Sequence, residues 1–353
     1  DYTVKITTNG PHSGLLTDLS HHGNAILPAD LIASGHDFNK EPIGTGPYKL
    51  VAWNKGESLE LEAFEDYWGG APAIKKVVWK VIPEGSSRTM ALEAGEVDMI
   101  IEVESTDLSR LQDNPDIVTV NEPGTGHNWV MINNEKAPFD NVDFRRAIDA
   151  AVDKNAVVQV ALNGQGSVSD SMLPECFPGV VTDGAPTYDP EKAKSLLAEA
   201  GYADGFTTNI ITISGMSDML TAIANMLDEV GIHCNIQQVD SATNNQYMKD
   251  GTWEGLMLHF ATIAPDLGLY MGRHLDKNGA YYAKGIQHPD KEMELLEEIR
   301  RCMDPDEKHK LEKELQAAIY DAEDGSCLFG RVLYVNKSCL LYTSPSPRDS
   351  TSS

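Results

Sequence analysis

No run of about 20 apolar residues occurs in this 353-residue chain, so no segment is suited to cross a bilayer as a helix. Basic residues are scarce: 28 Lys and Arg stand against 54 Asp and Glu, a formal charge of −26. Such a surface repels phosphate backbones and anionic headgroups, which excludes nucleic acid as a partner. It identifies no ligand. Cysteine is also sparse, at five residues: Cys176, Cys234, Cys302, Cys327 and Cys339. None forms a CxxC pair and the spacings suit no zinc site. Cys234 alternates with Ile232 and Ile236, the pattern of a small buried apolar residue in a strand.

Signatures of catalysis are missing as well. Gly44-Thr45-Gly46 is followed by no GK[ST], so it is no phosphate loop. No GxSxG, HExxH or Cys/His nucleophile pattern is present. Carboxylates are abundant, but abundance does not make a catalytic pair. His12 and the His21-His22 pair lack the spacing of a metal site and read as solvated loop residues. The reading is therefore no enzyme, no metal and no cofactor. No signal-peptide pattern opens the chain, and Asp1 to Ile6 begins directly on an alternating strand pattern, as a cut start would.

Apolar residues make up 41% and charged residues 23%, the balance of an ordinary globular protein with room for two domains. Leu59, Leu61 and Ala63 alternate, as do Val77, Trp79 and Val81, which predicts two half-buried strands around the Gly69-Gly70-Ala71-Pro72 turn. Ser86 or Ser87 is placed to cap a helix that stops at Gly95. Val97–Val103 reads as a strand, 106–112 as a short helix and 117–121 as a strand. Beyond His127 come a strand through Trp129, Met131 and Ile132 and a helix with Phe144, Ala147, Ile148 and Ala151 on one face. Asp189-Pro190 reads as an N-cap followed by an N1 proline. Ile210–Ile213, the stripe Leu220, Ile223, Ala224 and Leu227, and Ile232–Val239 make a β-α-β unit with a parallel pair. Leu256–Phe260 follows as a strand. Two helices are predicted near 289–303 and 305–322, the second capped by Asp304, and Cys327–Val335 as a last strand.

Several of these turns belong together. Gly44-Thr45-Gly46-Pro47-Tyr48, the Tyr67-Trp68-Gly69-Gly70-Ala71-Pro72 turn and Ala94-Gly95-Glu96-Val97-Asp98 resemble the extracytoplasmic solute-binding proteins of ABC importers, peptide- and nickel-binding class. So do Asn133–Asp140 with Phe144-Arg145-Arg146-Ala147-Ile148, and Gly231-Ile232 after an amphipathic helix. The resemblance covers nearly all of 1–338. It implies an α/β, two-lobe periplasmic-binding-protein-like fold of class II type, with a ligand cleft between lobes and an incomplete first lobe. Residues 1–128 would be that partial first lobe, 129–328 the second lobe and 329–338 the start of a return into the first. Residues 339–353 resemble translated sequencing adapter and are expected to be disordered. Relatives extend beyond both ends, so the chain reads as truncated, and a lobe short of strands is expected to be poorly stable.

The function so implied is the substrate-binding component of an ABC transporter. It would bind a small peptide or peptide-like solute by hinge closure and deliver it to ABC permease membrane subunits. A nickel chelate, haem or an oligosaccharide is the alternative cargo. The protein would be a monomer, periplasmic or lipid-anchored outside the cytoplasmic membrane, with no nucleic-acid partner. Candidate ligand-binding residues are His127, Asn128, Trp129, Ser214, Met216, His259, Phe260, Thr262 and Asp266. Trp129 is suited equally to stack on a ligand or to pack the hinge. The Ser214-to-Ser217 turn either presents free N–H groups to a carboxylate or is an ordinary cap. In peptide-binding relatives the strand through Leu258 ends in an aspartate that pairs with the peptide amine. Thr262 stands there in this chain, and Asp266, four residues on, is either a substitute or a loop residue.

Overall fold

The computed structural model describes residues 3–101, 103–122, 126–164, 166–171, 180–182, 187–213, 216–262, 266–279, 282–286, 290–320, 334–337 and 339–343. The chain divides into two compact units. The smaller comprises Leu16–Val120 and Leu340–Ser353, the larger Asp1–Leu15 and Asn121–Cys339.

Residues 3–8 are irregular rather than a strand, with Val4 84% exposed. Alternation alone supplies no partner strand to bond with. Helix α1 (Leu15–Leu19) leads into α2 (Ala29–Ser34), which Pro28 opens and Gly35 closes at φ 75°. Strands β1 (Tyr48–Asn54), β2 (Ser58–Ala63) and β3 (Lys76–Lys80) form an antiparallel sheet in which Leu50 faces Leu61 and Leu61 faces Val77. Helix α3 (Gly85–Glu93) starts two or three residues earlier than the serines suggest: its N-cap is Glu84, without a side-chain cap bond. Gly95, at φ 71°, lets the chain turn away after α3. Strand β4 (Met99–Ile101), α4 (Ser105–Gln112) and β5 (Val118–Glu122) complete the continuous part of this unit. Leu92, Ile100, Leu108 and Leu111 are its buried core.

The larger unit is a six-stranded sheet with helices on both faces. In chain order it runs β6 (Gly126–Ile132), α5 (Val142–Ala151), α6 (Lys154–Leu162), β7 (Gly166–Ser169), α7 (Pro190–Glu199), β8 (Phe206–Ile213), α8 (Ser217–Glu229) and β9 (Ile232–Val239). Then follow α9 (Ser241–Asp250), β10 (Leu256–Thr262), α10 (Leu267–Leu275), α11 (Asp290–Arg301), α12 (Pro305–Tyr320) and β11 (Tyr334–Lys337). The strand order is β7-β11-β6-β10-β8-β9. The β8-α8-β9 unit is parallel, as its pattern predicts. Caps fall where the sequence places them: Asp189 accepts from Lys192 N at 3.0 Å and Asp304 from Glu307 N at 2.9 Å.

Period-two alternation sorts the sheet residues between two cores. Val130, Ile132, Ile210, Leu256 and Leu258 pack against α5 to α8, with Phe144, Ile148, Leu220 and Ile223. Trp129, Met131, Ile211 and Met257 pack on the opposite face, with Leu267, Tyr270 and Met271 of α10, Leu296 of α11 and Leu315 of α12. Residues 339–343, expected to be disordered, run as β12 (Cys339–Thr343), with Leu341 opposite Ile101 of β4. Leu340, Leu341 and Tyr342 suit a pleated strand, and β4 offers it a free edge. Most of the predicted strand Cys327–Val335 lies outside the described residues, as do Cys176 and Cys327.

Candidate functional site

Helix-connected parallel strands place their ends together. In the larger unit β8 and β10 are parallel neighbours, so Ile213 and Thr262 finish at the same edge of the sheet. Strand β6 is antiparallel to β10 and begins at that edge. Chain leaving β8 crosses to β9 on one side, while chain leaving β10 returns as β11 on the far side of β6. Two adjacent parallel strands whose connections diverge open a crevice at their carboxyl ends, the usual ligand position in an open α/β sheet. Helices α8 and α10 start at this same rim.

The register brings two groups of candidates side by side. Gly126 pairs with Thr262, His127 with Ala261, Asn128 with Phe260 and Trp129 with His259. On its other edge β6 meets β11, where Val335 pairs with Asn128 and Asn336 with His127. His127 and Thr262 are placed by backbone, and their side chains lie outside what is described. Ser214 is likewise outside the described residues.

Chemistry divides the others. Trp129 is 1% exposed and belongs to the core shared with α10. Its ring meets His259 edge-on at 4.9 Å and His274 at 5.5 Å, and Tyr270 stands 4.8 Å from His274. His259 is buried beneath the rim, and desolvation pushes its pKa down to about 4, so it is neutral at pH 7. Of the two roles open to Trp129, the packing one is occupied. Asn128 is buried on the opposite face, 3% exposed. Phe260, next to it, is 39% exposed on the α8 side and is the accessible aromatic of the pair. Met216 is half-buried immediately before α8 and packs against the core below. No side chain caps α8 at its N-cap position.

Asp266 is the N-cap of α10. Its carboxylate accepts from Leu269 N at 2.9 Å and pairs with Lys308 of α12. Sequence reasoning missed Lys308, because a contact across 42 positions leaves no local pattern. It also missed α10 with His274 and Tyr270. There a signal exists: Asp266 precedes apolar positions 267, 270, 271 and 275, which is a capped helical face.

The sequence model for bacterial extracellular solute-binding proteins, family 5, middle region, matches residues 1–282. The chain belongs to this family. Among its relatives, the glutathione-binding protein of Pectobacterium atrosepticum is 31% identical over 246 residues, covering 68% of this chain and 48% of its own length. Heme-binding protein A of Haemophilus influenzae is 27% identical over 338 residues, 91% of this chain and 61% of the relative. The chain thus spans about half to three-fifths of the length of these curated relatives. Among solved structures, the ABC transporter-associated periplasmic binding protein DppA of Helicobacter pylori, in complex with peptide STSA, superposes with a TM-score of 0.81. That match has 26% identity and covers 95% of this chain and 67% of that one. The α/β periplasmic-binding-protein fold implied by the turn motifs is therefore the one found. Family 5 proteins are extracellular solute binders. Among the described residues no helix is long and apolar enough to cross a membrane.

Proposed function

We propose that this chain is the solute-receptor part of an ABC importer and takes a peptide or peptide-like solute for delivery to a membrane permease. The observation that carries it is the family match over 1–282, together with the rim where β6, β8 and β10 converge. A receptor of this kind catalyses nothing. It acts outside the cytoplasmic membrane, in the periplasm or held by a lipid anchor, and works as a monomer. Ligand uptake is coupled to hinge closure, because a solute shifts an open–closed equilibrium only by contacts that the closed state adds. Within the larger unit, Phe260, Met216, Thr262 and His127 at the rim are the proposed ligand neighbours, with Ser214 before α8. Trp129, His259 and Asn128 support them from below. Asp266 is assigned to holding α10 rather than to a ligand amine.

Haem is the second reading, favoured by the heme-binding relative that matches 91% of this chain. Native mass spectrometry on protein mixed with glutathione, with a tetrapeptide and with haem separates the two. Uptake of glutathione or the tetrapeptide, weakened about tenfold (~1.4 kcal/mol) by Phe260→Ala, is the expected result. A Soret shift with haem and no peptide adduct would replace the peptide assignment.

A further inference from the structure

Three asparagine–glycine pairs occur in the chain: Asn9-Gly10, Asn163-Gly164 and Asn278-Gly279. In each, a glycine without a Cβ leaves its amide nitrogen open to approach the side-chain carbonyl of the asparagine before it. The fold treats the three differently. Asn163 is the C-cap of α6 at φ 47°, and the Gly164 amide donates to the Val158 carbonyl at 3.1 Å, a bond that closes this helix end. The Gly279 amide donates to the Asp276 carbonyl at 2.7 Å, just past α10. A Cβ at Gly279 would overlap the Arg273 carbonyl oxygen, so the end of that helix hems in the backbone there. Asn9 and Gly10 are both exposed and outside any helix or strand. Among the described residues nothing accepts from the Gly10 amide, and the space around its Cβ position is open to 4 Å. The Thr8 hydroxyl donates to the Gly10 carbonyl at 2.7 Å, which does not engage the amide.

We propose that Asn9-Gly10 is a site of spontaneous deamidation and that the folded protein spares the other two pairs. The Gly10 nitrogen gives its proton to hydroxide and bonds to Asn9 Cγ, and the Cγ–Nδ2 bond breaks with loss of ammonia. Water then opens the cyclic imide. Entry at Cγ restores the ordinary peptide, with aspartate in place of asparagine. Entry at the main-chain carbonyl carbon routes the chain through Cγ, as isoaspartate. One amide and one water become one carboxylate and one ammonium ion, with no change of oxidation state. The product adds one negative charge to a chain of formal charge −26, in a segment that contributes to neither core of the larger unit. At Asn163 and Asn278 the same attack first requires the glycine amide to leave its bond and the turn to open locally. The reaction needs no ligand, so it stands apart from the proposed function.

The test is peptide mapping by mass spectrometry of the chain held at mildly alkaline pH in water enriched in heavy oxygen, which marks every newly formed carboxylate. In folded protein the peptide containing Asn9 is expected to convert at least about tenfold faster than those containing Asn163 and Asn278. In urea the turns are lost, and the three rates are expected to converge through acceleration at Asn163 and Asn278. Native conversion at Asn163 or Asn278 as fast as at Asn9, or an Asn9 peptide that gains no label, would overturn the proposal. So would a gap that survives in urea, since the preference would then come from the flanking residues rather than from the fold.

Discussion

Asp266 makes two contacts with one carboxylate: Oδ1 accepts from Leu269 N at 2.9 Å, and Oδ2 pairs with Lys308 of α12. Both partner side chains are largely buried, 12% exposed for Asp266 and 15% for Lys308. A pair so placed is screened little by solvent, and the same group caps α10 at the rim. Asp266→Asn is therefore expected to cost about 1–3 kcal/mol in urea unfolding. A double-mutant cycle with Lys308→Met should return a coupling of about 1 kcal/mol or more. Additive single losses would show that the two side chains do not act as a pair.

His259 makes the fold sensitive to acid. Burial lowers its pKa to about 4 from the ordinary 6.5. The unfolded chain binds a proton in that window which the folded chain refuses. Stability is thus fully present above the unfolded value and is lost as pH falls toward the folded one. Between pH 7 and pH 5 the loss from this residue is about 2 kcal/mol. Urea midpoints of the parent and of His259→Gln across that range measure it, and the variant should lose that part of the slope. Equal slopes would place the titration elsewhere.

Gly255 turns the chain into β10 at φ 83°. A Cβ there would meet Thr208 Oγ1 and stand 2.5 Å from the Asn209 carbonyl oxygen, a backbone atom of β8 that cannot swing aside. Gly255→Ala is expected to destabilise by about 1–3 kcal/mol, since strain in the left-handed region adds to the clash. Gly35, also at positive φ, has open space around its Cβ position and should tolerate alanine better, which makes Gly35→Ala the control.

Cys234 is expected to be inert. Its thiol pKa is pushed up to about 12, chiefly by burial and further by the charge of Asp228. The thiolate is the reactive form, so alkylation by iodoacetamide at pH 8 should be far slower in native protein than in urea. Mass spectrometry of the peptide containing Cys234 reads this, and rapid native labelling would contradict its packing in β9.

Much of the larger unit was legible from local chemistry. Asp189-Pro190 and Asp304-Pro305 mark their helices because a carboxylate cap and an N1 proline act within one turn. The β8-α8-β9 unit shows itself through a change of period from two to 3.6 and back. The turn motifs carried the family, since such turns demand particular residues. By contrast, the described part of the alternating start, residues 3–6, is not a strand, and Ser86 and Ser87 sit inside α3 instead of capping it. An alternating segment needs a neighbour to bond, and a cap is chosen by the approach of the preceding chain.

Sequence by itself settled the family, the α/β class and the position of most helices and strands. It narrowed the candidates to three short segments, 127–129, 214–216 and 259–266. Only the tertiary structure decided that β6 and β10 are antiparallel neighbours, pairing Asn128 with Phe260 and Trp129 with His259. It alone separated the buried Trp129 and His259 from the accessible Phe260, and gave Asp266 to Lys308. The reason is physical: caps and periods are local, whereas burial and ion pairing depend on residues far apart in the chain that meet only when the sheet is assembled.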